Sequence, residues 1–196
     1  MKEVNKIFNL ISGISAIILG CWFIVLPCIE WQGFGIELTF ISNFFSGIFY
    51  FISGVLILLK IKIPHLLFLM PSSLLIIVML GSIVFQQGFV GNMLFLHLLN
   101  PLFSMLYSLF LTKQECKLRF VPITIIPIVI YYLFSQIHGV ITQDFIHSFL
   151  DPIQMGAGIM VAIVLGGALG SIAIAYGFYF LNKVVVKFVY KNFDKN

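Results

Sequence analysis

The sequence predicts an all-α fold: a single integral membrane domain over residues 1–196, built as a bundle of six transmembrane helices with both termini in the cytoplasm. Apolar residues make up 61% of the chain, charged residues 9%, and the mean hydropathy is +1.12. A soluble domain averages about 45–50% apolar and about 25% charged residues. Six uncharged apolar runs are long enough to cross a bilayer, which takes roughly 18–20 helical residues. All the basic residues fall on one side of these runs.

The six apolar runs are expected to be helices, because a backbone inside lipid must satisfy its own hydrogen bonds. None of the runs contains Asp, Glu, Lys or Arg. Strands of a membrane barrel alternate apolar and polar residues, and segments such as 74–80 do not alternate. The predicted spans are 7–27, 38–59, 66–85, 90–111, 120–137 and 156–181.

The first span is expected to be retained, because its apolar stretch exceeds a signal core of about 7–15 residues and no small-x-small cleavage site follows it. The orientation follows from the 11 basic residues. They lie in the two terminal tails and in the connections after spans two and four. The three opposite loops hold none and carry Glu30, Glu37, Asp144 and Asp151 instead. The positive-inside rule makes the basic side cytoplasmic and places the chain in the cell membrane. The net charge of +4 is therefore interpreted as a topological signal, and no nucleic-acid partner is predicted.

Small residues at helical spacing mark expected contacts between spans two and six and their neighbours. They are Ser46-Gly47, Ser53-Gly54, Gly166, Gly170 and Gly177. Small side chains let helix backbones approach closely. Packing within one subunit is preferred over a dimer contact, and the oligomeric state stays open.

Prolines interrupt spans three, four and five at Pro71, Pro101, Pro122 and Pro127. Each removes an intrahelical hydrogen bond and favours a kink. A kink at Pro101 is expected to free the carbonyl of His97, four residues earlier. Trp31, Tyr179 and Tyr190 suit the aromatic belts of membrane interfaces.

No disulfide, cofactor or metal site is predicted. Cys21 and Cys28 stand about 10 Å apart on one helix, beyond disulfide reach, and Cys116 faces the reducing side. No H-E-x-x-H, C-x-x-C, P-loop or G-x-G-x-x-G pattern occurs. Four potential ligands gather around the last outer loop, but their spacing matches no standard metal site, and a solvated loop is the preferred interpretation. They are His138, Asp144, His147 and Asp151.

Polar residues inside the spans are few, and His97 is the one histidine inside a predicted span. It lies roughly 10 Å in from the outer end of span four. Ionisable groups in a membrane are costly and are therefore functional candidates, the alternative being a neutral histidine bonded to a neighbouring helix. Asn100 and Ser104 share its helix face. For these two taken alone, hydrogen bonding between helices is the preferred role.

Thr39 stands near the outer start of span two, one turn before Asn43. A lone threonine in a membrane helix usually bonds to its own helix. The predicted orientation, however, puts Thr39 and His97 at similar depth in the outer half of the membrane. A hydroxyl and an imidazole that meet on adjacent helices can form a nucleophile–base pair.

Three short stretches follow one pattern in order and spacing. The first is Leu38-Thr39-Phe40-Ile41, which opens span two, and the second is His97 with Pro101 four residues later. The third is the His-Ser-Phe-Leu-Asp-Pro stretch 147–152, which leads to Gly156. Together they resemble the androgen-induced family of six-span membrane proteins, with His-Ser where the family usually has Tyr-Pro. The short chain is most similar to the small bacterial branch of that family.

The resemblance implies an intramembrane threonine hydrolase, because animal members of the family hydrolyse fatty acid esters of hydroxy fatty acids. The essential threonine and histidine of the family match Thr39 and His97. We expect His97 to take the Thr39 proton, an acyl-threonine to form, and water to resolve it. Orienting or substrate-binding roles are expected for a further set of polar side chains. They are Asn43, Asn100, Ser104 and His138.

The expected partner is a membrane lipid or acyl chain, bound on the extracytoplasmic side. Two other functions stay open. One is a substrate-binding membrane subunit of a vitamin or small-molecule importer, which would hold a tight soluble ligand and a cytoplasmic partner. The other is a non-catalytic lipid-binding or structural protein, because polar residues in membranes often only pack helices.

Overall fold

We describe the fold from a computed structural model that covers residues 2–30, 36–85, 89–112 and 117–190. Trp31 and Cys116 lie outside these ranges. The regular elements within them are all helical, and six helices are long and apolar enough to cross a membrane. These are Lys6–Ile29, Leu38–Leu58, His65–Val84, Asn92–Phe110, Leu118–Thr142 and Ala157–Phe188. The all-α architecture with six membrane-length helices is confirmed at this level.

Helices α1 (Lys2–Ile29), α2 (Leu38–Leu58) and α3 (His65–Val84) are continuous, and α3 runs through Pro71. The start of α3 corrects one expectation. His65 lies inside this span and is buried, so His97 is not the only histidine within a span. The predicted span began one residue later, at Leu66, whereas the helix includes His65, whose Nε2 atom lies 3.2 Å from Ser108 Oγ.

The fourth span is interrupted before its proline. It consists of α4 (Asn92–Leu94), a π-helical turn over Phe95–Leu99, and α5 (Asn100–Phe110). The fifth span begins as a 3₁₀ helix over Leu118–Ile125 and continues as α6 (Ile126–Thr142). Pro101 and Pro122 lie at these irregular segments, as expected where a missing N–H breaks the α-helical bonding pattern.

The last outer connection folds into short helical turns before the final span. A 3₁₀ turn over Ser148–Leu150 leads to α7 (Pro152–Met155), followed by the long α8 (Ala157–Val185) and a π-helical end over Val186–Tyr190. The last span is thus longer than predicted, and it carries Lys183 and Lys187 beyond the apolar run. Apolar runs locate the lipid-crossing part of a helix but not its polar ends.

Helices α1 and α2 touch through glycine. A Cβ atom on Gly47 would lie 2.8 Å from the backbone nitrogen of Ile24 and 2.9 Å from the carbonyl oxygen of Gly20. One on Gly54 would lie 2.7 Å from the carbonyl oxygen of Gly13. The expected packing role of the two α2 glycines is therefore confirmed, and their partners on α1 are also glycines.

The glycines of α8 behave differently. A Cβ on Gly170 would reach Ile77 at 3.3 Å, but Gly166 and Gly177 face open space, with nothing within 4 Å. The expectation that Gly166 and Gly177 pack against a helix of the same subunit is wrong. The reason for Gly166 is that this part of α8 forms the wall of a cleft, described below, and does not lie against its neighbours.

Candidate functional site

Thr39 and His97 meet at the N-terminal end of α2. The predicted orientation makes this the outer end. Thr39 lies in the first turn of α2, and His97 is the central residue of the π-helical turn. Thr39 Oγ1 lies 3.3 Å from His97 Nε2, and each residue is only 5% exposed. The histidine can act as a base toward this hydroxyl in the tautomer that carries its ring proton on Nδ1, because Nε2 is then the acceptor.

The π-helical turn explains how His97 is held. The amide of Asn100 donates to the carbonyl of Phe95, five residues earlier. A π-helical bond joins an amide to the carbonyl five residues earlier, which for Pro101 is the carbonyl of Leu96. Because proline has no N–H, it cannot donate to this carbonyl. Asn43 Nδ2 donates to the Leu96 carbonyl at 3.3 Å instead. The expectation that the His97 carbonyl loses its partner assumed α-helical spacing and stays a prediction. The Leu96 carbonyl, for which π-helical spacing offers no amide, is bonded by Asn43.

Asn43 and Asn100 join the two segments that carry Thr39 and His97. Asn43 Nδ2 also donates to the Thr39 carbonyl at 2.8 Å, and Asn100 Nδ2 donates to Asn43 Oδ1 at 2.7 Å. Both asparagines are fully buried. Since Asn43 donates to two carbonyls, its oxygen must accept from Asn100, which leaves Asn100 Oδ1 without a partner among the described residues. The two amides fix the backbone on both sides of the hydroxyl–imidazole contact.

The two remaining predicted site residues belong elsewhere. Ser104 Oγ lies 2.8 Å from Tyr50 Oη and 2.9 Å from Ser72 Oγ, in a buried cluster that joins α2, α3 and α5. His138 lies near the end of α6, where its Nδ1 atom bonds to the carbonyl of Asp144 at 3.1 Å. Ser104 therefore has an interhelical contact, and His138 has a local one.

A cleft of about 460 Å³ opens beside Thr39, between α2, α3, α6, α8 and the segment before α7. Thr39 lines this cleft and His97 does not, so Thr39 is the member of the pair that borders it. Most of the wall is aliphatic or aromatic. Gly166 and Gly167 lie on the α8 side, and on Gly167 a Cβ atom would collide with the hydroxyl of Tyr132.

A second polar pair on the cleft wall was not predicted. Tyr131 Oη lies 3.2 Å from His147 Nε2, and both residues line the cleft. The His147 ring stacks on Phe149, with 4.8 Å between centroids, and Phe149 stacks on Phe85 at 4.2 Å. Burial lowers the pKa of His147 from 6.5 to about 4, so this imidazole is neutral near pH 7.

The interpretation of the outer loop as solvated is wrong for His147 and Asp151. Asp151 is buried, and its carboxylate accepts hydrogen bonds from the amides of Ile153 and Gln154 at the start of α7. Within the described ranges, no three His, Cys, Asp or Glu side chains come together as metal ligands do. The sequence marked His147 only as part of the 147–152 stretch. Its contact with Tyr131 of α6 forms because the loop folds back over that helix.

The approach to α2 carries one more ionisable group at the edge of the site. Glu37 directly precedes α2, and burial raises the pKa of its carboxyl group. The Tyr131 hydroxyl faces the backbone N–H of Leu38, one residue before Thr39. Tyr131 therefore lies beside the positive N-terminal end of α2.

No protein-family model, curated protein or solved structure matches the chain. The resemblance to the androgen-induced family therefore stays a prediction based on the three stretches, and the roles of Thr39 and His97 are argued from their geometry.

Proposed function

We propose that the chain is an intramembrane hydrolase of acyl esters, with Thr39 as the nucleophile and His97 as the base. The observation that carries the proposal is the 3.3 Å contact between Thr39 Oγ1 and His97 Nε2 at the wall of an apolar cleft. A threonine hydroxyl is a weak nucleophile unless a base removes its proton. Here the base contacts the hydroxyl directly, and the threonine that carries this hydroxyl borders the cleft.

The reaction follows from this arrangement. His97 Nε2 takes the proton from Thr39 Oγ1, and the oxygen attacks the ester carbonyl. The tetrahedral intermediate expels the alkoxide, which takes the proton from the imidazolium, and an acyl-threonine remains. His97 then removes a proton from water, the hydroxide attacks the acyl-threonine, and the carboxylic acid leaves as Thr39 regains its proton. The Tyr131 hydroxyl and the N-terminal end of α2 are the candidate stabilisers of the oxyanion.

The cleft supports an acyl chain as the part of the substrate that binds. Its lining is mainly aliphatic and aromatic, with Thr39, Ser82, His147 and two tyrosines as the polar exceptions. Fatty acid esters of hydroxy fatty acids and similar lipid esters have such chains, so they are the substrate class we propose.

We also propose that the six helices cross the cell membrane with both termini in the cytoplasm and the cleft toward the outer leaflet. The one-sided distribution of basic residues supports this orientation. Thr39 lies in the first turn of α2 and Lys60 follows its last turn, so the acidic and basic ends of the bundle are about 30 Å apart. At the C-terminus, a fused reporter enzyme that works only in the cytoplasm should be active, and one that works only after export should be inactive. Activity of an exported reporter at that position would contradict the orientation.

The hydrolase proposal is tested with purified full-length protein in lipid nanodiscs and a fatty acid ester of a hydroxy fatty acid as substrate. We expect Thr39→Val, which keeps the shape but removes the hydroxyl, to reduce kcat by about 10³-fold or more. Thr124→Val is the matched control, because Thr124 is equally buried and bonds only to the carbonyl of Val121 in its own 3₁₀ helix.

The base is tested in the same way. His97→Gln should reduce kcat strongly. His65→Gln is the control, because it removes another buried histidine, one that bonds to Ser108, and it should leave kcat near that of the parent. Full hydrolysis by both Thr39→Val and His97→Gln would refute the assigned nucleophile and base. Absence of hydrolysis by the parent would refute the hydrolase and favour a non-catalytic lipid-binding protein.

A further inference from the structure

A second cavity lies at the basic end of the bundle, remote from the cleft. It measures about 220 Å³ and is formed by α1, the end of α2, the start of α3 and the end of α5. Lys60 and Lys62 line it, together with the polar side chains of Asn9, Ser12 and Thr112. Among the described residues that line it none is acidic, and the two lysines give this lining a formal charge of +2. A positive, partly enclosed space of this kind attracts anions.

The backbone at Lys60 is unusual. Its φ of 64° lies in the left-handed region that favours glycine. The Lys60 amide donates to the carbonyl of Ile57, and the Ile61 amide donates to the carbonyl of Leu56, both at 2.9 Å. These two bonds form a Schellman cap, in which the left-handed position is usually glycine. A lysine there is strained relative to glycine, and such strain is often found at functional positions.

The buried side of the cavity, at Ser12 and Thr112, is held by hydrogen bonds. Ser12 Oγ lies 2.8 Å from Tyr107 Oη and donates to the carbonyl of Leu111 at 2.8 Å. Thr112 Oγ1 donates to the carbonyl of Ser108 at 2.6 Å. Ser12 and Thr112 are almost fully buried, whereas both lysines are exposed. The ammonium groups are therefore the flexible charged part of a preformed polar cavity.

We infer that the Lys60–Lys62 cavity binds an anionic phosphate group. Two ammonium groups match a phosphate monoester or diester, which lysine binds as a point charge. Apolar lining residues such as Phe8 and Ile57 suit the glycerol and first methylene groups that adjoin a lipid phosphate. The source is either an inner-leaflet phospholipid or a free phosphate ester. The inference is independent of ester hydrolysis and uses only the proposed membrane orientation to name the leaflet.

Lysine also interacts favourably with the C-terminal end of a helix, and that simpler role makes a different prediction. If Lys60 only stabilised the end of α2, replacing it would lower stability in any lipid. If it is strained and serves a phosphate site, Lys60→Gly should leave thermal stability equal or higher in a neutral bilayer, because glycine relieves the left-handed backbone. The same variant should lose the stabilisation that an anionic lipid gives.

The experiment compares the full chain in nanodiscs of phosphatidylcholine alone and with phosphatidylglycerol, by thermal unfolding and by native mass spectrometry of retained lipid. We expect phosphatidylglycerol to raise the melting temperature of the parent. Affinity should fall about fivefold for each of Lys60→Gly and Lys62→Gln, as the loss of one membrane-adjacent charge implies. Lys187→Gln, at an exposed lysine in the C-terminal π-helical end, should keep the effect.

A further arm adds inorganic phosphate or glycerol phosphate to the protein in phosphatidylcholine. Stabilisation by phosphatidylglycerol alone identifies a lipid headgroup site, and stabilisation by the soluble anions as well identifies a site for free phosphate. The inference is overturned if neither stabilises the parent, or if the Lys60→Gly Lys62→Gln double variant keeps the full phosphatidylglycerol effect.

Discussion

Replacing Gly47 by alanine tests the contact that positions α2. The added Cβ would lie 2.8 Å from the Ile24 nitrogen, whereas ordinary van der Waals contacts begin at 3.4 Å. The backbones of α1 and α2 must therefore separate by about 0.6 Å. Overpacking of this kind costs about 1–3 kcal/mol. Alanine also gains about 1 kcal/mol over glycine within a helix. Gly47→Ala is therefore expected to be neutral to about 2 kcal/mol less stable than the parent.

Gly81→Ala separates the two contributions. Gly81 lies inside α3, and a Cβ there would meet nothing within 4 Å, so this variant should only gain about 1 kcal/mol. The free energy of unfolding of both variants is measured in the same detergent by denaturant titration. Gly47→Ala should be about 1–3 kcal/mol less stable than Gly81→Ala. Equal stability would refute the contact between the two backbones.

Three further outcomes are expected at the cleft. Thr39→Ser keeps a hydroxyl beside His97 and should retain activity within about tenfold of the parent, and a loss as complete as that of Thr39→Val would contradict a nucleophilic hydroxyl. Gly167→Ala places a methyl group against the Tyr132 hydroxyl and should raise KM for long-chain esters more than for short ones; an equal effect on both would argue against the cleft as the acyl site. Because the pKa of His147 falls from 6.5 to about 4 on folding, the unfolded chain takes up a proton in that interval that the folded chain does not. The free energy of unfolding should therefore decrease as the pH falls from 6.5 to 4. His147→Phe should show a weaker decrease over that interval, and an unchanged pH dependence would contradict the burial of this imidazole.

The six helices were predictable because a membrane leaves a strong signal in composition. Runs without charge must be helical in lipid, so the middle of each span was predicted correctly. The ends were less accurate, because a helix continues into polar residues once it is nucleated. The inclusion of His65 in α3 and of Lys183 in the last span shows this.

The approach of Thr39 and His97 was predicted from two signals, their similar depth in the outer half of the membrane and the family resemblance, which pairs them. Their roles in catalysis stay a prediction. The manner of contact was not predictable from an α-helical repeat. With π-helical spacing the Leu96 carbonyl falls opposite Pro101, which has no N–H, and Asn43 donates to this carbonyl instead.

The Tyr131–His147 pair was not predictable because it depends on a long-range fold. His147 lies in a connection between spans, and its sequence context is typical of a solvated loop. Only the return of that connection over α6 brings its ring to Tyr131. Similarly, helical spacing marks Gly166 and Gly170 as equivalent, and both line the cleft, but only at Gly170 would a Cβ atom contact another helix, at Ile77.

The most direct measurement is the mass of the intact chain after reaction with a fluorophosphonate that carries an alkyl tail. We predict one adduct per chain, located on the peptide that contains Thr39, which disappears in Thr39→Ala and is strongly slowed in His97→Gln. Thr124→Ala should label like the parent. Labelling of Thr39→Ala at the parental rate would show that the Thr39 hydroxyl is not the nucleophile.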